Sequence, residues 1–187
     1  MPDKHLSSQF DSELNGVSTR VMEMGGLVES QIRQAVYALS QFSIEAADQV
    51  SLIENRVNAM EVEIDHELST IIARRQPTAR DLRLLLAFSK ATANLERMGD
   101  EAEKIARMAL DLATDHDHKT TGPLPEIHHM ARHVSQLVRD SLDAFARMDA
   151  ESALAVAQED VNIDREYEAL LRQLPPWHEN FGKRLVK

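Results

Sequence analysis

Glu96 and Asp100 stand four residues apart in the stretch Glu96-Arg97-Met98-Gly99-Asp100. On a helix that spacing puts both carboxylates on one face. They lie roughly 100–140° from Leu95 on the helical wheel, beside an apolar stripe rather than opposite it. Glu103 falls near the same side. Like charges so placed repel unless a cation lies between them or water solvates them. Gly99 costs about 1 kcal/mol in a helix interior relative to Ala, which a close backbone approach by another helix would explain. Glu54, Asn58, Glu61 and Asp65 repeat the theme upstream, one residue along from their own apolar stripe, and Asp160 and Asp164 repeat it downstream. Carboxylate pairs on adjacent helices of a bundle have the oxygen donors that hard cations take. A solvated acidic flank is the plainer reading of any one pair; three pairs on three helices weaken it.

Histidines crowd the middle of the chain: His116, His118, His128, His129 and His133. His129 and His133 have the i, i+4 spacing of a metal-chelating pair, against the simpler reading of a solvated patch. Two Glu-x-x-His pairs, Glu63 to His66 and Glu126 to His129, raise a carboxylate-bridged di-iron enzyme as an alternative. Such a site needs both motifs at one level of a bundle, and their depths along the helices put them roughly 25 Å apart. No Gly-x-Ser-x-Gly, P-loop or Rossmann glycine pattern occurs, so no catalytic residue is assigned and a non-enzyme is expected.

These residues need helices to position them. Apolar residues make up 43% of the 187, aromatics only 4%, and there are 6 Gly and 6 Pro, the profile of helices packed on helices. The spacing predicts five helices, over about 7–41, 43–75, 78–115, 124–148 and 149–174. Thr78 and Asp81 form a capping-box-like restart after Pro77. The third helix carries an apolar stripe at Leu84, Phe88, Ala91, Leu95, Met98, Ala102, Ile105, Ala109 and Leu112. The second has Val50, Ile53, Val57, Met60, Ile64, Leu68 and Ile71. The fifth has Val156, Ile163, Tyr167, Leu170 and Leu174, with Asp160 inside the stripe. Helices of about 30 residues are about 45 Å long, and short turns make them antiparallel neighbours.

A net charge of −10 disfavours nucleic acid and suits basic protein partners or bound cations. With no Cys, disulfides and thiolate sites are excluded. The first residues lack the apolar stretch of a secretory signal, and the most apolar run, Leu82 to Phe88, is too short to span a bilayer. An internal repeat appears at an offset of 106 residues: Gln41-Phe42-Ser43-Ile44-Glu45 aligns with Arg147-Met148-Asp149-Ala150-Glu151, Glu54 with Asp160 and Asn58 with Asp164. In both copies a Ser or Asp N-cap is followed two residues later by Glu, at the positive end of the helix dipole. The expected fold is all-α, two tandem antiparallel helical-bundle repeats over 7–115 and 123–174, the second lacking its last helix.

Several separate words occur in an order that resembles the PhoU family, accessory regulators of the phosphate-specific transport system. They are Met22-Glu23-Met24-Gly25-Gly26-Leu27-Val28-Glu29, Met60-Glu61-Val62-Glu63-Ile64-Asp65, Arg75-Gln76-Pro77-Thr78-Ala79-Arg80-Asp81-Leu82-Arg83, Leu95 to Asp100 with Lys104-Ile105, and, in the second repeat, Asp143 to Asp149, Glu159-Asp160 and Asp164 to Glu168. The resemblance covers roughly Phe10 to Leu174. It implies a cytoplasmic negative regulator of phosphate uptake and of the phosphate-starvation response. Such a protein couples the phosphate ABC transporter ATPase subunit to a sensor histidine kinase and reaches the membrane only through partners. Family members have Glu/Asp-x-x-x-Asp motifs able to bind divalent or ferric ions, and Glu61, Asp65, Glu96, Asp100, Asp160 and Asp164 match them here. A purely structural helical scaffold is the other alternative.

Two departures stand out. Asn58 replaces a carboxylate, which weakens a metal site in the first unit. After Leu174 the sequence from Pro175-Pro176-Trp177 to Lys187 resembles nothing in the family, where a sixth helix repeating the Glu-Arg-x-Gly-Asp motif is expected. The expectation is a truncated or frame-shifted product with an uncovered face on helices four and five, and hence a homodimer or a less stable chain. No basic cluster or Gly-rich loop points to direct phosphate binding.

Overall fold

The computed structural model of the protein describes residues 3–114 and 124–173. They form five helices, α1 (Asp3–Gln41), α2 (Ile44–Arg75), α3 (Ala79–Thr114), α4 (Leu124–Ala146) and α5 (Ala150–Gln173), and no strand occurs among the described residues. The chain divides into two compact units, Met1–His116 and Asp117–Lys187. The departing tail expected from Pro175 lies outside the described residues.

In the first unit α1, α2 and α3 each pack against the other two. Their buried positions step by three and four, as in coiled coils. On α1 they include Val17, Val21, Met24, Val28, Gln31, Ala35 and Ala38, with Gly25 buried beside Met24. On α2 they run from Ala46 through Val50, Glu54, Val57, Met60, Ile64 and Leu68 to Ile71, and on α3 they are Leu85, Phe88, Thr92, Leu95, Gly99, Ala102, Ala106 and Ala109. The end near the α1–α2 turn is almost all alanine, and the other end holds Phe88, Met24, Ile64 and Leu85.

Two stripes differ from expectation. Met98 and Ile105 are exposed, and Thr92, Gly99 and Ala106 take the inward positions. On α2 the stripe passes through Glu54, with Ile53 only half-buried beside it. At Gly99 the inward position is kept small by the Glu54, Gln31 and Val57 side chains that lie against it. In the second unit α4 packs against α5, and the buried apolar residues are Val138, Ala144 and Leu170. Tyr167 and Asp160, expected within the α5 stripe, are both exposed.

The repeat is visible in the turns. Phe42 and Met148, 106 residues apart, both have positive φ, 51° and 53°. Ser43 N donates to Ala38 O at 3.1 Å, and Asp149 N donates to Ala144 O at 2.9 Å, the closing bond of a Schellman turn. Ser43 Oγ accepts from Ala46 N at 3.2 Å, as Asp149 Oδ1 accepts from Ser152 N at 3.1 Å. The Ser152 hydroxyl and backbone hold the Asp149 carboxyl below its ordinary pKa. Each pair is related by the same offset, so one hairpin design serves α1–α2 and α4–α5. The α2–α3 turn differs: Gln76 closes α2 with φ 45° and its N–H on Ile72 O, and Pro77 prevents continuation.

Candidate functional site

On the axis of the first unit Gln31 of α1, Glu54 of α2 and Gly99 of α3 meet. Gln31 of α1 is fully buried and Glu54 of α2 is 4% exposed. Gln31 Nε2 donates to Glu54 Oε2 at 2.5 Å and to the backbone oxygen of Gly99 on α3 at 3.1 Å. A Cβ on Gly99 would lie 2.7 Å from Glu54 Oε2 and 3.0 Å from Gln31 Oε1. Gly99 is therefore there because two side chains from other helices lie against its backbone; a close approach by another helix's backbone, the sequence-based expectation, is not the cause. Gln31 Oε1 and Glu54 Oε1 are both buried without a hydrogen-bond partner.

Acidic residues of α2 and α3 line up outward from this trio. Burial raises the pKa of Glu54 most; the Gln31 hydrogen bond opposes this, while Asp100, within hydrogen-bond reach, and the charge of Glu103 add to it. Burial likewise raises Glu61, with repulsion from Glu96, Asp65 and Asp100. Glu61, Asp65, Glu96 and Asp100 thus share one edge of the unit. Glu103 joins them, and Asn58 is exposed. Two hydroxyls tie the edge together: Ser51 Oγ donates to Glu103 Oε1 and Ser89 Oγ to Asp65 Oδ1, each at 3.3 Å. Arg107 pairs with Glu103 from its own helix.

Asp160 and Asp164 belong to the other unit and are exposed on α5. Glu63 and His66 lie on α2, and Glu63 is paired with Arg20 and Arg56; Glu126 and His129 lie on α4 of the second unit. His133 and His129 both turn Nδ1 toward Glu166 of α5, at 3.1 Å and 3.7 Å. His116 and His118 lie outside the described residues.

Two contributors were missed in the sequence. Gln31 had a signal: a polar residue in step between Val28 and Ala35. The Glu13–Arg75 clamp, 62 residues apart with bonds of 3.0 Å and 2.7 Å, had none, because only the hairpin brings those ends together.

Oxygen-only donors on the acidic edge suit a hard cation. As the side chains lie, however, no three His, Asp or Glu are grouped to hold a metal ion among the described residues. No helix there is long and apolar enough to cross a membrane.

The architecture, a three-helix unit followed by a helical hairpin of the same design, defines a tandem-repeat helical protein with an acidic edge. A family profile described as PhoU domain matches residues 21–109 and 127–175, the two repeats in turn. The chain belongs to the PhoU family. A "phosphate-specific transport system accessory protein PhoU homolog" of Pseudomonas putida is 48% identical over 91% of this chain and 66% of its own length. The Escherichia coli K12 "phosphate-specific transport system accessory protein PhoU" is 45% identical over 92% of this chain and 70% of its own. The chain thus spans about two thirds of the length of these relatives. The crystal structure of PhoU from Pseudomonas aeruginosa superposes with a TM-score of 0.85 at 42% identity, covering 95% of this chain and 84% of that one. The phosphate transport system regulatory protein PhoU from Streptococcus pneumoniae superposes with a TM-score of 0.81 at 26% identity, covering 91% and 79%.

Proposed function

We propose that the chain is a cytoplasmic, non-enzymatic negative regulator of phosphate uptake and of the phosphate-starvation response. In this reading it is an adaptor between the ATPase subunit of a phosphate ABC transporter and a sensor histidine kinase. The observation that carries this is the set of relatives above 40% identity named as accessory proteins of phosphate-specific transport. The physical mechanism is linkage. An adaptor shifts kinase output only if it binds one kinase state better than another, and only by that difference in affinity. The acidic edge of α2 and α3 is the docking face this assigns, with basic surfaces on the partners. The test is co-purification of the chain with each partner, together with a starvation-gene reporter in a phosphate-replete strain lacking its own family member. Repression restored by the wild type and lost with Glu96→Lys and Asp100→Lys supports the reading. No capture of either partner and no repression sinks it.

Cation binding is the finer part of the proposal. Glu61, Asp65, Glu96 and Asp100 would hold a divalent or ferric ion on the first unit, where it would neutralise their mutual repulsion; Asp160 and Asp164 would contribute on the second. As these side chains lie they do not form a closed site, so no regulatory step is assigned to the ion. Calorimetric titration of Glu96→Ala and Asp100→Ala tests it: unchanged metal binding removes those residues as ligands. A homodimer is the remaining part. Leu154, Val161 and Tyr167 are exposed on α5, and burying them against a second copy would gain about 25 cal/mol per Å². A strictly monomeric chain in light scattering would refute it.

A further inference from the structure

We propose that His129 and His133 of α4 form a two-histidine site for a borderline divalent metal ion, of the zinc, copper, nickel or cobalt class, with Glu166 of α5 as the group that orients both rings. The residues are four apart, so their rings leave the same face of α4 about 6 Å apart along its axis. Glu166 Oε1 lies 3.1 Å from His133 Nδ1, and Glu166 Oε2 lies 3.7 Å from His129 Nδ1. A neutral imidazole donates from one nitrogen and accepts at the other. With Nδ1–H committed to a carboxylate, the lone pair is on Nε2. That is the arrangement by which a carboxylate fixes the tautomer and orientation of a metal-ligating histidine.

Four features favour a metal here over a plain hydrogen bond. Glu166 serves both rings with one carboxylate, and its Oε2 is buried without a hydrogen-bond partner, ready to accept from His129 Nδ1–H once a ligated ring turns toward it. Neither Nε2 has a partner among the described residues. His129 is two-thirds exposed and His133 about a quarter exposed, so an ion has access and room for its remaining water ligands. Glu126 and Glu166 line the same small cavity as His129, about 190 Å³ in volume, and add negative charge beside the nitrogens. Imidazole selects zinc, copper, nickel and cobalt over magnesium and calcium, so this site differs in metal class from the carboxylate edge of the first unit.

The test is calorimetric titration of the whole chain with zinc chloride in excess magnesium, which occupies oxygen-only sites and leaves imidazoles free. One zinc per chain is expected. His129→Ala and His133→Ala should each abolish it, and Glu166→Gln should weaken it about ten- to a hundredfold, whereas Glu23→Gln, exposed on α1, should leave it unchanged. An independent readout on the unsubstituted chain is the nitrogen resonances of the two imidazoles, whose Nε2 signals should move on adding zinc. A wild-type chain that takes up no zinc, zinc binding that survives loss of either histidine, or Nε2 signals that stay in place would each overturn the proposal.

Discussion

Gln31 holds Glu54 by a 2.5 Å hydrogen bond at a level where all three helices of the first unit have given up an apolar residue. The amide spends its two N–H donors on Glu54 and on the backbone of Gly99, linking α1, α2 and α3 at one point. A polar pin of this kind selects a register, as buried polar residues do in coiled coils, because sliding any helix by a turn would strand the amide among hydrophobes.

Gly99 and Gly26 test that geometry as a pair. Gly→Ala in an exposed helix interior gains up to about 1 kcal/mol, and nothing lies within 4 Å of a Cβ at Gly26. At Gly99 the new methyl meets Glu54 Oε2 at 2.7 Å, and that oxygen cannot retreat without breaking the Gln31 bond. Gly26→Ala should raise the urea midpoint. Gly99→Ala should lower it, by the equivalent of about 1–3 kcal/mol.

Glu54 carries a definite pH signature. Burial, with Asp100 and Glu103, raises its pKa above the ordinary 4.5. The folded state therefore holds the proton more tightly than the unfolded one, so this group favours folding in acid and the advantage is lost as pH rises through the folded value. Glu54→Gln, which still accepts from Gln31, should melt higher than the wild type at neutral pH. The gap should close as pH falls toward 4.5. A gap that stays constant with pH would mean that Glu54 is not the titrating group.

Helix ends were legible in the sequence because caps are local chemistry: Ser43, Asp149 and Pro77 mark boundaries by what their own atoms can do. The α2–α3 acidic edge was legible for a similar reason, since i, i+4 spacing fixes a face. The inward side of α3 was not. Hydrophobicity ranks Met98 and Ile105 above Thr92 and Gly99, whereas the space at Gly99 is set by Glu54 and Gln31 from the other two helices. Spacing puts Ile53 in the α2 stripe and Glu54 one residue outside it, and the residue that makes Glu54 tolerable inside, Gln31, comes from a different helix.

Arg75 at the end of α2 grips Glu13 near the start of α1 through two bonds, with both side chains largely covered. The Arg75 hydrogen bond holds Glu13 below its ordinary value, against a smaller opposing effect of burial and with help from the charges of Arg75 and Arg74. The stabilisation is therefore present above about pH 4.5 and lost as pH falls through the folded value. Glu13→Gln should cost about 0.5–1 kcal/mol at neutral pH in low salt and nothing in acid, measured by urea unfolding at the two pH values.

The offset of 106 residues aligns Gln31 with Leu137 and Glu54 with Asp160, so the second repeat lacks the amide at this level. Among its described residues there is no third helix, and Asp160 lies exposed where Glu54 is buried. Installing the second repeat's residue in the first, Gln31→Leu, removes the donor from Glu54 and from Gly99 O while leaving both buried. Unpaired buried acceptors cost about 1–3 kcal/mol, and the variant should lose stability in that range. Adding Glu54→Met removes the stranded carboxylate with little change of volume, and replacing both partners by apolar groups is close to neutral. The double variant should therefore recover most of the loss, whereas Asp160→Ala should stay within about 0.5 kcal/mol of the wild type. Urea unfolding of the four chains decides it. If Gln31→Leu and the double variant lose the same amount, Gln31 acts by filling space rather than by holding Glu54.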